Sequence, residues 1–189
     1  MTANPSGAEL DETIHVWRAR LDSTAWPDAA GLPAAERERA ARLLRPDSRR
    51  RWVAARWALR GVLARYLECG PAEIELRLGE RGKPLLADPG SALRFNLSHS
   101  DDLALVAVAT GHDVGVDVQR IGSRPTGFYA EWTRREAVTK CHGVGLGAPL
   151  PDSPVAVRPI DAPAGFAAAL AVSRSHPACG GPRWRRVAA

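Results

Sequence analysis

The sequence predicts an α+β fold, and three observations carry that reading. Helical spacing dominates from about Pro33 to residue 70, an alternating period takes over from Ile74, and a single helical stretch then interrupts a second set of apolar runs. With 189 residues, 45% hydrophobic and 25% charged, the chain is large enough to bury a proper core as one large domain or two small ones.

The opening run "IHVWRARL" reads as a strand that leads into a Pro/Asp/Gly turn region near Leu32. "PAAERERAARLL" reads as a helix, with Pro33 at a favourable first-turn position and glutamates early, where the helix dipole favours negative charge. A second helix has Asp47 or Ser48 as candidate caps. Its apolar residues Trp52, Ala55, Leu59, Val62 and Tyr66 recur at three- and four-residue steps until Gly70-Pro71.

"IELRL" alternates as a strand, "GERGKP" is a turn, "LRFNLSHS" is a short strand ending in polar residues, and "LALVAVAT" is a buried strand. "GHD" turns the chain into "VGVDVQ", another strand. "RIGSRPTG" is a loop, "FYAEWTRREAVTKCHG" a helix ended by Gly143, and "FAAALAVS" a last apolar strand or short helix. The tail "RSHPACGGPRWRRVAA" shows no period and is expected to fray.

Composition narrows the function classes. No basic start followed by an apolar run and no uninterrupted apolar stretch of membrane-spanning length is present, so a cytoplasmic protein without a membrane span is expected. Cys69, Cys141 and Cys179 fit neither a disulfide framework nor a zinc-site spacing. A formal charge of +5 and a pI near 9.7 predict attraction to anions without choosing among them. A nucleic-acid-binding module has only that charge and the arginine runs in its favour, with no interleaved aromatics or known motif, so no nucleic-acid partner is expected.

In "VGVDVQ" the strand period puts Val114, Val116 and Val118 on one face and Asp117 with Gln119 on the other. In the later helix, Glu136 and Lys140 are four residues apart and share a face. If those polar faces meet, Asp117, Glu136 and Gln119 form a hard, oxygen-rich site suited to Mg²⁺ completed by waters and phosphate, with Lys140 as a compact positive charge beside it. Taken alone, the Glu/Lys pair reads equally as a surface salt bridge worth a few tenths of a kcal/mol. The Asp in an apolar strand is costly unless paired. Ser98, His99 and Ser100 end a strand with groups able to hydrogen-bond phosphate oxygens, or simply to fill a polar turn. A nucleophilic Ser/His pair is disfavoured because adjacent strand residues point to opposite faces.

Only two of the 26 basic residues are lysines, Lys83 and Lys140. In order along the chain, "RGKPLL", "FNLSHSDDLALVAVA", "VGVDVQRI", "WTRREAVTKCHGVGL" and "APAGFAAALAV" resemble the 4'-phosphopantetheinyl transferases, of the larger monomeric type that primes carrier proteins of polyketide, peptide and fatty-acid synthesis. Both lysines fall on motif positions of that family. The resemblance implies two similar α+β lobes related by a pseudo-twofold axis, residues 1–110 and 111–189, the second shortened and carrying the metal site. It implies coenzyme A in the cleft between them, Mg²⁺ on Asp117, Glu136 and Gln119, and catalytic roles for Glu136 and Lys140. Lys83, Ser98 and His99 would hold the nucleotide end of coenzyme A, with Arg39, Arg50 and Arg51 near its 3'-phosphate. The partner would be an apo acyl or peptidyl carrier protein, and the product 3',5'-ADP. Two departures stand out: Gln119 lies where the family often has Glu, and only "GSRPTG" joins the strand to the helix where the family usually inserts several helical turns.

Overall fold

The computed structural model of the chain describes residues 13–79, 82–144, 149, 151–173 and 183–186. It has strand β1 (Thr13–Arg20), helices α1 (Ala34–Ala41) and α2 (Pro46–Leu67), then strands β2 (Leu76–Leu78), β3 (Pro84–Leu86), β4 (Leu93–Ser100), β5 (Leu103–Thr110) and β6 (Val114–Arg120). Helix α3 (Thr126–His142) and strands β7 (Val155–Pro159), β8 (Phe166–Ser173) and β9 (Arg183–Arg186) follow. No helix among the described residues is long and apolar enough to cross a membrane.

Four layers result, with helix α2 against the sheet β4-β5-β1-β9, that sheet against β6-β8-β7, and α3 on the outside of the second sheet. The period-2 rule explains why β5 is apolar throughout. Its odd residues Leu103, Leu105, Ala107 and Ala109 pack with Val114, Val116, Val118, Leu170 and Val172 between the sheets, while Val106 and Val108 face Leu59 and Leu63 of α2. "FAAALAVS" is strand β8, central to the second sheet and paired antiparallel with both β6 and β7. Each of the two larger sheets carries one long helix, and beyond that they differ, with four strands, one of them β9 from the end of the chain, against three.

Three sequence expectations change. Helix α2 starts at Pro46, with Arg45 at the N-cap, ahead of both Asp47 and Ser48, because proline's fixed φ suits the first helical position. It stops at Leu67 on Glu68, held left-handed at φ 52°, before Gly70-Pro71 is reached. The tail is not wholly irregular: β9 pairs in parallel with β1 from Thr13↔Arg183 to Val16↔Arg186. Cys179 lies outside the described residues.

A seam of side chains joins the two sheets. On β4, Leu93 and Phe95 point into the core under α2, so Asn96, Ser98 and Ser100 point the other way. There Asn96 Oδ1 accepts from Val116 N at 2.9 Å, Ser98 Oγ from Val118 N at 3.2 Å and Ser100 Oγ from Arg120 N at 3.0 Å. These amides lie on the edge of β6 away from β8, and three side-chain oxygens satisfy what a neighbouring strand's carbonyls otherwise would.

Candidate active site

Helix α3 lies unusually close to β6, and Gly115 is the reason. A Cβ at position 115 would stand 2.1 Å from Ala137 O and 2.3 Å from Cys141 N, so only glycine lets the helix backbone seat there. Small residues complete the fit, with Ala137 and Cys141 of α3 against Ala169 and Ala171 of β8. At its far end α3 terminates on Gly143 at φ 69°, whose amide reaches the carbonyls of Lys140 and Thr139. The short connection from β6 is tied down as well: Ile121 N donates to Gly165 O at 2.8 Å, and Arg124 N donates to the buried Tyr129 hydroxyl at 3.3 Å.

This seating brings the polar faces of β6 and α3 together. A cleft of ≈ 450 Å³ opens between Ser98 and His99 of β4, Asp117 and Gln119 of β6, and Trp132, Glu136 and Lys140 of α3. Asp117 is 5% exposed. Its Oδ1 accepts from Lys140 Nζ at 2.6 Å and from Ser98 Oγ at 2.8 Å. Its Oδ2 is buried without a hydrogen-bond partner, and so is Oε1 of Glu136. Burial pushes the Glu136 carboxyl above its ordinary range, and the Asp117 charge adds to this, while Lys140 opposes it.

Two carboxylates that line one cleft, each with a buried oxygen lacking a hydrogen-bond partner, fit a hard cation. Among the described residues no three of His, Cys, Asp and Glu converge. A pair of carboxylates with open coordination is what Mg²⁺ uses when waters and phosphate oxygens supply the rest. Gln119 lines the same cleft and offers a neutral oxygen.

The other residues singled out in the sequence are distributed as follows. Ser98 is buried at 5% exposure and works within the protein, accepting from Val118 N and Lys140 Nζ and donating to Asp117. His99 opens to solvent but is crowded by protein, so desolvation lowers its pKa, helped by the charges of Lys140, Arg51 and Arg56. Lys83 Nζ donates to Lys140 O at 2.7 Å, at the C-terminus of α3. Arg51 forms a two-point pair with Asp102, Nε to Oδ1 at 2.8 Å and Nη2 to Oδ2 at 3.4 Å, which raises its pKa further. Arg50 donates to Leu21 O at 3.0 Å. Both arginines thus tie α2 to neighbouring turns. Arg39 is exposed and lines a second, larger cavity of ≈ 1180 Å³.

A residue the sequence reading passed over connects the two cavities. Arg56 lines both, is 9% exposed, and has its Nε 3.1 Å from Glu36 Oε1. Glu36 also pairs with Arg60 at 2.7 Å, and Arg60 donates to the carbonyls of Pro71 and Ile74. Burial lowers the pKa of Arg56, and Arg60 adds to the effect against the pull of Glu36. The signal was available: Arg56 and Arg60 sit four apart on the helix beside the core residues Leu59 and Leu63, a face where charge needs a partner.

Comparison with known proteins gives the family. Residues 17–111 match the family model described as "4'-phosphopantetheinyl transferase, N-terminal". The chain is 34% identical over 191 residues to the 4'-phosphopantetheinyl transferase HetI of Nostoc sp., covering 83% of this chain and 79% of that protein. It is 34% identical over 156 residues to the 4'-phosphopantetheinyl transferase AcpT of Escherichia coli, covering 68% and 74%. A human relative, L-aminoadipate-semialdehyde dehydrogenase-phosphopantetheinyl transferase, is 26% identical over 149 residues, 59% of this chain and 48% of that one. This chain belongs to the 4'-phosphopantetheinyl transferase family.

Proposed function

We propose that this chain transfers the 4'-phosphopantetheine group of coenzyme A to a serine hydroxyl of an apo acyl or peptidyl carrier protein, with Mg²⁺, releasing 3',5'-ADP. The single observation that carries the reading is a pair of carboxylates, Asp117 and Glu136, that line one cleft beside Lys140 and each keep a buried oxygen, Oδ2 and Oε1, without a hydrogen-bond partner. Family membership supplies the chemistry to be tested against it.

Asp117 and Glu136 would hold Mg²⁺, with Gln119 as a neutral neighbour. The ion would neutralise charge on the pyrophosphate, the main demand of a phosphoryl transfer. Lys140, whose ammonium donates to Asp117 Oδ1, is a cation of the same cleft that would meet phosphate oxygens. His99, held largely neutral, would donate a hydrogen bond to phosphate. Arg56 lines both cavities, and Arg39 and Arg42 line the larger one together with glutamates, so these arginines are the groups there that would meet the 3'-phosphate of the nucleotide end.

In the transfer, the serine Oγ forms a bond to the β-phosphorus, and the bond from that phosphorus to the bridging oxygen breaks. 3',5'-ADP leaves with the bonding electron pair. Glu136, which lines the same cleft, would take the serine proton.

The test is the intact mass of an apo carrier protein after incubation with the chain, coenzyme A and Mg²⁺, with an EDTA control. A phosphopantetheine-sized gain that EDTA abolishes, and that is lost in Asp117→Asn and Glu136→Gln, is expected. No gain across several carriers, with coenzyme A still bound in calorimetry, would replace the enzyme by a non-catalytic coenzyme A-binding homologue.

A further inference from the structure

Lys83 begins the segment that leads into β3, yet its ammonium is anchored on a different part of the molecule. Nζ lies 2.7 Å from Lys140 O, 3.4 Å from Val114 O and 3.5 Å from Cys141 O. Two of these carbonyls belong to the last turn of α3 and the third to the first residue of β6. An ammonium has three donors, and three main-chain acceptors surround this one. The two α3 carbonyls lie among the last four of the helix, where the helix dipole favours a positive charge, and Lys140 O accepts from both Lys83 and the Gly143 amide.

The contact is partly buried. The side chain runs beside Gly143, the left-handed cap of the same helix. Desolvation lowers the Lys83 pKa, with Asp113 as the charge that most opposes this. Lys140 is therefore held at both ends: its carbonyl by Lys83, and its side-chain ammonium by Asp117 at 2.6 Å.

We infer that Lys83 is a positioning residue that locks the last turn of α3 onto the start of β6 and so fixes Lys140 and Glu136 across from Asp117, without itself reaching the co-substrate. The lysines met in the sequence as two motif residues act as one unit, Lys83 on the backbone of Lys140. A guanidinium cannot substitute, because its planar fork does not match three carbonyls converging on a point. The effect on turnover rests on the transferase reading, whereas the effect on the helix does not.

The test uses the full chain with Lys83→Met, and Lys83→Gln as the polar variant that preserves solubility if the first fails to fold. Hydrogen–deuterium exchange, without any substrate, should show amides of residues 139–144 exchanging on the order of tenfold faster, with α2 unchanged. In the transfer assay kcat should fall on the order of 10- to 100-fold, as for a misplacement near 1 Å, with the Kd for coenzyme A kept within about threefold of wild type. Lys83→Arg should not restore kcat. Unchanged exchange at the end of α3 overturns the inference, and so does a Kd for coenzyme A raised tenfold or more with kcat intact, the signature of direct contact. If the wild-type chain shows no transfer at all, the proposed function fails while the exchange measurement still decides the role of Lys83.

Discussion

Replacing Gly115 by alanine tests the seating of α3 directly. Alanine suits a strand at least as well as glycine does, so backbone preference alone predicts a neutral or mildly stabilising change. Packing predicts the reverse. The new methyl would meet Ala137 O at 2.1 Å, Cys141 N at 2.3 Å and Cys141 Cα at 2.9 Å, and all three are backbone atoms with no rotamer to move aside. Ordinary contact begins near 3.4 Å, so α3 has to retreat by more than about 1 Å. Overpacking of a fitted core costs about 1–3 kcal/mol and sometimes more; with backbone on every side we expect about 3 kcal/mol. At a urea slope near 2 kcal/mol/M, that lowers the unfolding midpoint by roughly 1.5 M. The same retreat carries Glu136 and Lys140 away from Asp117, and a displacement near 1 Å costs on the order of 100-fold in rate. Urea unfolding followed by circular dichroism, paired with the carrier-protein mass assay, measures both. Trimming Cys141 to alanine in the same chain should rescue neither, because the obstruction is main chain. A Gly115→Ala protein with wild-type midpoint and rate would refute the close approach and the argument built on it.

Three further outcomes are expected. Glu36→Gln leaves Arg60, 1% exposed, and Arg56 without their shared carboxylate, and should cost about 3–5 kcal/mol in urea unfolding; a loss below about 1 kcal/mol would show the pair to be solvated. Ser98→Ala strands the buried amide of Val118 and removes a donor from Asp117, for a loss of about 1–3 kcal/mol, and wild-type stability would mean β6 finds another acceptor. His99 has a lowered pKa in the folded state, so on acidification the unfolded chain binds its proton first. The stability due to the neutral ring is complete above the unfolded value, near pH 6.5, and drains as pH falls below it. His99→Gln should therefore flatten the decline in urea midpoint between about pH 7 and pH 5, and an unaltered slope would contradict that linkage.

What the sequence made legible follows physical range. The alternation of "VGVDVQ" sorted valines from Asp117 and Gln119, and the structure places the valines between the sheets and the polar pair toward α3. Helix α3 was readable through its i,i+4 pair and its terminal Gly143. These are local signals, decided by period and cap. The β8 segment was ambiguous because a short apolar run satisfies either a buried strand or a buried helix. The strands that escaped notice are short or at edges: β3 opens with Pro84, β7 is half-exposed, and β9 is defined by a parallel partner about 170 residues away. The ion pairs of Arg50 and Arg51 were not legible because the Asp101–Asp102 turn that engages them is remote in sequence. The target of Lys83 left no trace at all, since main-chain carbonyls have no sequence identity.

The seam between β4 and β6 has a consequence for how the molecule behaves in company. A strand at the border of a sheet offers its amides to any extended chain that meets it, and β6, apolar on one face, would be an inviting template. Asn96, Ser98 and Ser100 occupy those amides with side chains, so the border is closed without extending the sheet and no ladder is left for a second molecule to continue. Substituting all three by alanine would reopen it. Such a chain would lose stability and also gain a way to self-associate through the strand that carries Asp117, so protection from aggregation and order in the cleft depend on the same three polar side chains.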